Sequence, residues 1–140
     1  MKLSRNFTLE ELTGTSYKEL LADNIYYAMN NYDKLQSLAY FAQDVRDFLG
    51  VPMTVTSGVR CPALNNKLGG SAKSQHLTLE AIDFIPSKIT LKEAFNRIKG
   101  SKLKFGQLII EKSGKKEWIH ISIGTKCETL RYDNGRYVII

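Results

Sequence analysis

The sequence predicts an α+β fold in which N-terminal helices pack on a small, mainly antiparallel sheet. Apolar positions recur at three- and four-residue steps in the first half, whereas short β-rich runs bounded by turn residues dominate the second half. Helices that come mostly before strands are typical of α+β architecture. The chain has 140 residues, 43% of them hydrophobic and 24% charged, which predicts one domain, residues 1–140, with a single core.

The first half of the chain is predicted to be helical. Thr8 and Glu11 form a capping box that starts a short helix. A long helix is expected from about Asn24 to Leu49, where Gly50 ends it and Pro52 prevents its return. The apolar positions that recur along it at helical steps are Leu35, Leu38, Ala39, Ala42, Val45 and Leu49.

The middle of the chain predicts two strands and two further helices. The strands are Met53–Ser57 and Ala81–Ile85, and the helices are Pro62–Leu68 and Leu91–Lys99. Gly69 and Gly70 end the first of these helices. Thr90 is expected to cap the second, with Glu93 completing a capping box and Gly100 ending the helix.

The last third predicts two β-hairpins. The first joins Gln107–Glu111 to Trp118–Ile123 through a tip at Lys112–Lys116 that turns at Ser113–Gly114, and the second joins Thr129–Tyr132 to Tyr137–Ile140 through Asp133–Gly135. Both turns contain the small or flexible residues that tight hairpins need.

The net charge indicates which kinds of binding partner to expect. The net charge is +6, and the pI is about 9.3, but the basic residues form no single block. A solvated surface or attraction to an anionic cell wall explains this charge. A nucleic-acid-binding module is a third hypothesis, but no recognised motif or dense basic helix supports it, so we expect no nucleic-acid partner.

The sequence carries few signals of membrane insertion, secretion, disulfide bonds or oligomerisation. No apolar run approaches the ~18 residues of a membrane helix, so no membrane insertion is expected. The start of the chain lacks the apolar segment of a secretory signal, which predicts synthesis in the cytoplasm without a signal peptide. Cys61 and Cys127 have no CxxC partners and are expected to be free thiols. No coiled-coil or dimer pattern is present, so we expect a monomer.

Three side chains suggest metal chemistry: His76, Asp83 and His120. A catalytic zinc ion takes three protein ligands and keeps one position for water, whose pKa falls to about 7. Asp83 would point back from its strand towards His76, and His120 would close the set from a neighbouring strand. The alternative is a pair of ordinary histidines and an aspartate that bonds to backbone, because this spacing alone is not specific.

Three short motifs add to that pattern, namely SGVRCP, SQHLTLEAID and EWIHIS. They resemble the zinc D-Ala-D-Ala peptidases of the cell wall (metallopeptidase family M-fifteen), which share a fold with hedgehog signalling domains. The matching residues are Ser57, Gly58, Arg60, Ser74, His76, Ala81, Asp83, Trp118 and His120. NFTLEEL and FGQLIIE resemble small, phage endolysin-type members in particular.

The resemblance implies roles for particular residues. His76, Asp83 and His120 would bind Zn²⁺. Arg60 would be the partner of a carboxylate and of the oxyanion that forms on the attacked carbonyl, whereas without the resemblance an ordinary surface salt bridge is the alternative. For the general base two glutamates remain alternatives. Glu117 stands three residues before His120, where several members carry the acid, but residues three apart on a regular strand face opposite sides. Glu111 would lie opposite Trp118, on the face of His120, if the hairpin tip is symmetric.

One residue departs from the motif. Leu79 stands where the family motif has glycine, and leucine would be strained if that position requires a positive φ. We therefore expect either a different turn or an altered metal geometry, with reduced or absent activity as one consequence, and this residue favours a non-catalytic module.

The resemblance thus implies a zinc metallopeptidase that hydrolyses peptide bonds of peptidoglycan stem peptides, as a D-Ala-D-Ala carboxypeptidase or an L-Ala-D-Glu endopeptidase. A phage- or prophage-encoded enzyme that acts on the cell wall, during lysis or as part of a virion, fits best. The alternative is a non-catalytic zinc-binding or virion structural module of the same fold.

Overall fold

Five α-helices and one six-stranded sheet make up the computed structural model, which describes residues 1–140. The helices are α1 (Leu9–Thr13), α2 (Leu21–Met29), α3 (Tyr32–Leu49), α4 (Pro62–Lys67) and α5 (Leu91–Lys99), with a 3₁₀ turn at Lys18–Leu20. The strands are β1 (Met53–Ser57), β2 (Ala81–Pro86), β3 (Gln107–Ser113), β4 (Lys116–Ser122), β5 (Glu128–Asp133) and β6 (Arg136–Ile139). The predicted α+β class is confirmed.

The sheet has the order β1-β2-β4-β3-β5-β6. All neighbouring strands are antiparallel except β3 and β5, which are parallel. Both predicted hairpins are present, as β3–β4 and β5–β6, although the first turns at Gly114–Lys115, one residue later than predicted. A longer connection from β4 carries the second hairpin to the far side of β3.

Helix ends follow the predicted capping signals. Thr8 caps α1, and Glu11 returns the reciprocal bond of the predicted capping box. Thr90 caps α5 through the backbone N–H of Glu93, without the predicted return bond from the Glu93 side chain. Gly50 ends α3 in the left-handed conformation, as its position after the last apolar residue predicted.

The prediction of one helix from Asn24 to Leu49 is wrong, because the chain breaks between α2 and α3. Asn31 leaves the helical conformation, with φ −123° and ψ 44°. Its side-chain amide donates to the Tyr27 carbonyl at 2.8 Å, a local bond that competes with helix propagation. Because the chain breaks here, α2 is a separate helix. Its buried Asn24 and partly buried Tyr27 support loops near the site.

The core lies between the helices and one face of the sheet. Fully buried residues on that face include Ile82 and Phe84 of β2 and Ile119 and Ile121 of β4. Because side chains alternate along a strand, Asp83 and His120 point to the other face, where antiparallel pairing sets them side by side. The apolar alternation that builds the core therefore also fixes two members of the predicted site.

Two further observations concern the whole chain. None of the helices combines the length and apolar character that crossing a bilayer requires. Both cysteines are free thiols, as predicted, with Cys61 buried and Cys127 exposed.

Leu79 adopts the left-handed conformation that the glycine of the motif would favour, with φ 58°. This conformation costs a leucine about 1–2 kcal/mol. The side chain is only 1% exposed and belongs to the main core, and such burial contributes about 1.5–3 kcal/mol. Leu79 thus holds the positive φ that glycine would favour, and its core packing offsets the backbone strain.

Substitutions at Leu79 will separate these two effects. Leu79→Ala should destabilise the protein by about 2–5 kcal/mol, because it empties a core site and keeps the strain. Leu79→Gly should be more stable than Leu79→Ala by roughly 0.5–1 kcal/mol, because glycine tolerates the positive φ. Urea denaturation of the metal-free variants measures both. An alanine variant more stable than the glycine variant would show that the position does not hold a left-handed conformation.

Candidate metal centre

His76, Asp83 and His120 converge on the face of the sheet opposite the core helices. All three are buried, and their candidate ligand atoms lie within 4.8 Å of one another. One carboxylate oxygen, Asp83 Oδ1, is 3.2 Å from His76 Nε2 and 2.9 Å from His120 Nδ1. The two imidazole rings meet edge to face, with centroids 5.2 Å apart. The structure thus brings together the three residues that the sequence analysis selected.

The ring of His76 is oriented by the backbone. Its Nδ1 lies 2.7 Å from the carbonyl oxygen of Gly58, and because a carbonyl only accepts, Nδ1 carries the proton. Nε2 is then the nitrogen available to a metal ion, and it lies 3.2 Å from Asp83 Oδ1. This pairing of one ring nitrogen with a backbone acceptor is common in metal-binding histidines.

Gly58 has a steric reason to be glycine. A Cβ atom at this position would lie 2.5 Å from the carbonyl oxygen of Leu12, and that same oxygen accepts the N–H of Val59. The loop after β1 therefore packs directly on the end of α1. This close approach sets the Gly58 carbonyl in place for His76.

Asn24 supports the same loop from α2. Its side chain is buried, donates to the carbonyls of Thr13 and Val59 at 2.9 Å each, and accepts the N–H of Cys61 at 2.7 Å. Tyr27, one turn further along α2, donates its hydroxyl to the Leu77 carbonyl at 2.6 Å. These polar contacts tie α2 to both loops that carry site residues.

The charge state of Asp83 follows from its neighbours. Burial by itself would raise the pKa of this carboxyl, but the two imidazoles outweigh it and hold the pKa well below its usual range. Arg60 is a cationic neighbour of the same carboxylate, with Nη2 3.8 Å from Asp83 Oδ2. Asp83 is therefore an anion, the form in which a carboxylate binds a metal.

Arg60 lies at the edge of the cluster and is held there by its own motif. Its Nε donates to the hydroxyl of Ser57 at 3.2 Å, and its backbone N–H donates to the His76 carbonyl. The side chain is largely covered and lines the same cavity as the cluster. Ser57 thus helps to orient the guanidinium of Arg60.

The two candidate bases have different positions. Glu111 pairs with Trp118 across β3–β4, as a symmetric hairpin tip predicted, and lines the cavity with His120. Glu117 pairs with Lys112, is exposed, and points to the opposite face of the sheet. The structure brings Glu111 to the site and does not bring Glu117 there.

The surroundings of Glu111 shift the pKa of its carboxyl. Burial raises the pKa of its carboxyl, and the negative charge of Asp83 adds to that effect, while His120 and Arg60 act in the opposite direction. A raised pKa makes this carboxyl a stronger proton acceptor, as the role of general base requires.

A polar cavity of about 820 Å³ extends over the cluster. Its far wall is the β5–β6 hairpin, where Tyr132 neighbours Glu111 in the parallel register and pairs with Tyr137. The two phenol rings pack with centroids 4.6 Å apart, and both line the cavity. A chain of several peptide residues fits a groove of this size.

Sequence reasoning missed several residues that shape the site. Gln75 contacts His120 from 45 positions away, with Oε1 3.1 Å from Nε2. Asn24 and the tyrosines of the last hairpin were also not selected. No local sequence pattern marks these residues, because each acts through a contact that the tertiary fold creates. The one available signal was that Gln75 lies next to His76 in a polar, Gly-rich segment.

The donor set suits a divalent metal ion such as zinc. It offers two imidazoles and one carboxylate at one point, and zinc in catalytic sites prefers nitrogen and carboxylate ligands of this kind. The Gly58 carbonyl binds Nδ1 of His76 and leaves Nε2 free to bind a metal. Two core histidines without a metal-binding role would not need such an orientation. The buried group can therefore hold a metal ion beside a carboxylic acid and a guanidinium.

Comparison with known proteins agrees with this geometry. No curated protein sequence matches the chain well enough to count as a relative. The sequence model of the family described as Peptidase M15, whose members are metal-dependent peptidases, matches residues 5–122. That range includes the cluster, Arg60 and Glu111 and ends before the β5–β6 hairpin. Because the match covers most of the 140 residues, the chain belongs to the peptidase M15 family.

Proposed function

We propose that this chain is a zinc peptidase that cleaves peptide bonds in the stem peptides of peptidoglycan. The observation that carries the proposal is the convergence of three metal-ligand atoms within 4.8 Å in a cavity that Arg60 and Glu111 also line. His76, Asp83 and His120 would hold the zinc. The substrate bond is D-Ala-D-Ala or L-Ala-D-Glu, as the resemblance of the motifs to the cell-wall peptidases suggests.

The bound metal would supply Lewis acidity, which lowers the pKa of water to about 7 and polarises a carbonyl group. Glu111 accepts the proton that the attacking water loses when its oxygen bonds to the scissile carbonyl carbon. Arg60 donates hydrogen bonds to the oxygen on which negative charge grows. Glu111 then returns its proton to the amide nitrogen as the C–N bond breaks, and the products are a carboxylate and a free amine.

We further propose that residues 1–140 act as one peptidase domain and as a monomer on the cell wall of a bacterium, within a phage or prophage lysis system or a virion. The positive net charge of +6 favours contact with an anionic wall. Leu79 was the feature that favoured a non-catalytic module, but its turn is intact and the three ligand atoms remain together. Hydrolysis is therefore the better-supported function.

The test is product analysis with a synthetic stem pentapeptide and with purified peptidoglycan. The zinc-loaded protein should release either free D-Ala or a fragment with a new D-Glu amino terminus, and mass spectrometry distinguishes the two bonds. Glu111→Gln, incubated in parallel with equal zinc, controls for contaminating peptidases. Zinc-loaded protein that cleaves neither substrate would reject the peptidase and leave a zinc-binding module of the same fold.

A further inference from the structure

Gln75 contacts the imidazole of His120 at the ring nitrogen that does not face Asp83. Its side-chain Oε1 lies 3.1 Å from Nε2, while Nδ1 of the same ring lies 2.9 Å from Asp83 Oδ1. The ring is therefore held at both nitrogens. His76 is held in the same manner, between the Gly58 carbonyl and Asp83.

The position of Gln75 is set by its own turn. Its backbone carbonyl accepts the N–H of Glu80 at 2.9 Å and the hydroxyl of Thr78 at 3.2 Å. The N–H of the next residue, His76, donates to the Ser74 hydroxyl. The side chain of Gln75 thus leaves a fixed backbone and is directed at β4, rather than reaching the ring from a free loop.

The two contacts of the His120 ring, from Nδ1 to Asp83 and from Nε2 to Gln75, differ chemically once a metal ion is bound. A ring nitrogen that binds a metal gives up its proton, so a metal ligated by Nδ1 leaves the only proton of His120 on Nε2. The oxygen of an amide can accept a hydrogen bond from this Nε2–H. The amide is neutral, so it leaves the net charge of the cluster unchanged. Such partners of metal-binding histidines fix the ring orientation and the tautomer.

We propose that Gln75 is a positioning residue that accepts the Nε2–H of His120 and thereby presents Nδ1 to the metal. Gln75 acts through His120 and takes no part in proton transfer. Two consecutive residues then serve the same metal centre in different ways. His76 is itself a ligand, and Gln75 orients the ligand His120. This inference rests on the proposed metal-binding function but not on the identity of the substrate.

Zinc titration against a chromophoric chelator tests the proposal on the full chain. Gln75→Leu keeps the approximate size but has no acceptor, and it should bind zinc about 10- to 100-fold more weakly than the wild type. Gln75→Glu keeps an acceptor oxygen and should lose less affinity than Gln75→Leu. Gln107→Leu is the matched control, because Gln107 lines the same cavity but bonds to Glu128 instead of an imidazole. Its zinc affinity should remain that of the wild type.

A second readout is specific to the hydrogen bond. In ¹⁵N-labelled, zinc-loaded wild type, the Nε2–H of His120 should give a proton signal protected from exchange with water, and Gln75→Leu should lose it. Gln107→Leu should retain the signal. Thermal unfolding of the metal-free variants confirms that each is folded, and Gln75→Ala replaces Gln75→Leu if the latter is not.

The outcomes separate this inference from the substrate proposal. Zinc affinity within about twofold of wild type in Gln75→Leu, with the Nε2–H signal retained, would overturn the role of Gln75. A protein that cleaves no wall peptide but still binds zinc in a Gln75-dependent manner would reject the substrate and support the positioning role. A wild type that binds no zinc would overturn both.

Discussion

Replacing Glu111 by glutamine is expected to lower kcat by about 10²- to 10⁴-fold, which is the usual contribution of general acid–base catalysis. Glutamine has nearly the same shape but cannot accept the proton of the attacking water. Glu111 is not among the three clustered ligands, so zinc content should remain that of the wild type. Steady-state kinetics together with metal analysis of the same preparation measure both quantities.

Glu117→Gln is the matched control for this prediction. The residue is of the same type and lies on the neighbouring strand, but it is exposed and points away from the cavity. Its kcat should stay within about threefold of the wild type, because surface changes away from a site have small effects. A large loss of kcat in Glu117→Gln with normal turnover in Glu111→Gln would assign the base to Glu117 and require a different arrangement of the β3–β4 hairpin.

Replacing Asp83 by asparagine should abolish stabilisation by zinc. A ligand at about 100 times its Kd stabilises the folded state by about 2.7 kcal/mol, which corresponds to a rise in Tm of roughly 5–10 °C for a chain of this size. The asparagine side chain lacks the negative charge that joins the two imidazoles around one metal, so we expect no rise in Asp83→Asn. Thermal unfolding with and without zinc measures the difference.

Glu128→Gln controls for weak binding of zinc to surface carboxylates. Glu128 lines the same cavity but bonds to Gln107 and Lys126 and is not part of the clustered ligand set. The rise in Tm should persist in this variant. An equal rise in the wild type and in Asp83→Asn would show that the stabilising zinc binds somewhere other than the cluster.

Local patterns predicted most of the elements because each had a chemical signal of its own. Thr8 with Glu11 marks a helix start, Gly50 marks a helix end, and Asp133–Gly135 marks a tight turn. The pairing of Glu111 with Trp118 was expected from a symmetric hairpin tip, although the turn that sets this register, at Gly114–Lys115, lies one residue later than predicted. That register brings Glu111 to the face of His120.

Features that depend on long-range contacts could not be predicted in this way. The break at Asn31 is accompanied by a bond from its side chain to the Tyr27 carbonyl, and an asparagine at any helical position can compete with the helix in this way. The parallel pairing of β3 with β5 depends on the path of the connection after β4, which carries no periodic signal. Gln75 contacts His120 only because the turn before β2 and strand β4 meet in the folded chain.

The strain at Leu79 is an instructive intermediate case. The motif indicated a position that favours glycine, and the structure has a positive φ there. The compensating burial of the leucine side chain could not be inferred from the sequence, because it depends on which core residues surround the turn. A departure from a motif can thus preserve the backbone geometry and change only how that geometry is stabilised.

The most direct test of the central claim is the zinc content of the purified wild type and of His76→Ala after incubation with zinc and removal of the excess. The account predicts close to one zinc ion per chain in the wild type and almost none in the variant, because His76 Nε2 and His120 Nδ1 both point at the same oxygen of Asp83. No zinc in the wild type, or equal zinc in both proteins, would contradict a metal centre formed by His76, Asp83 and His120.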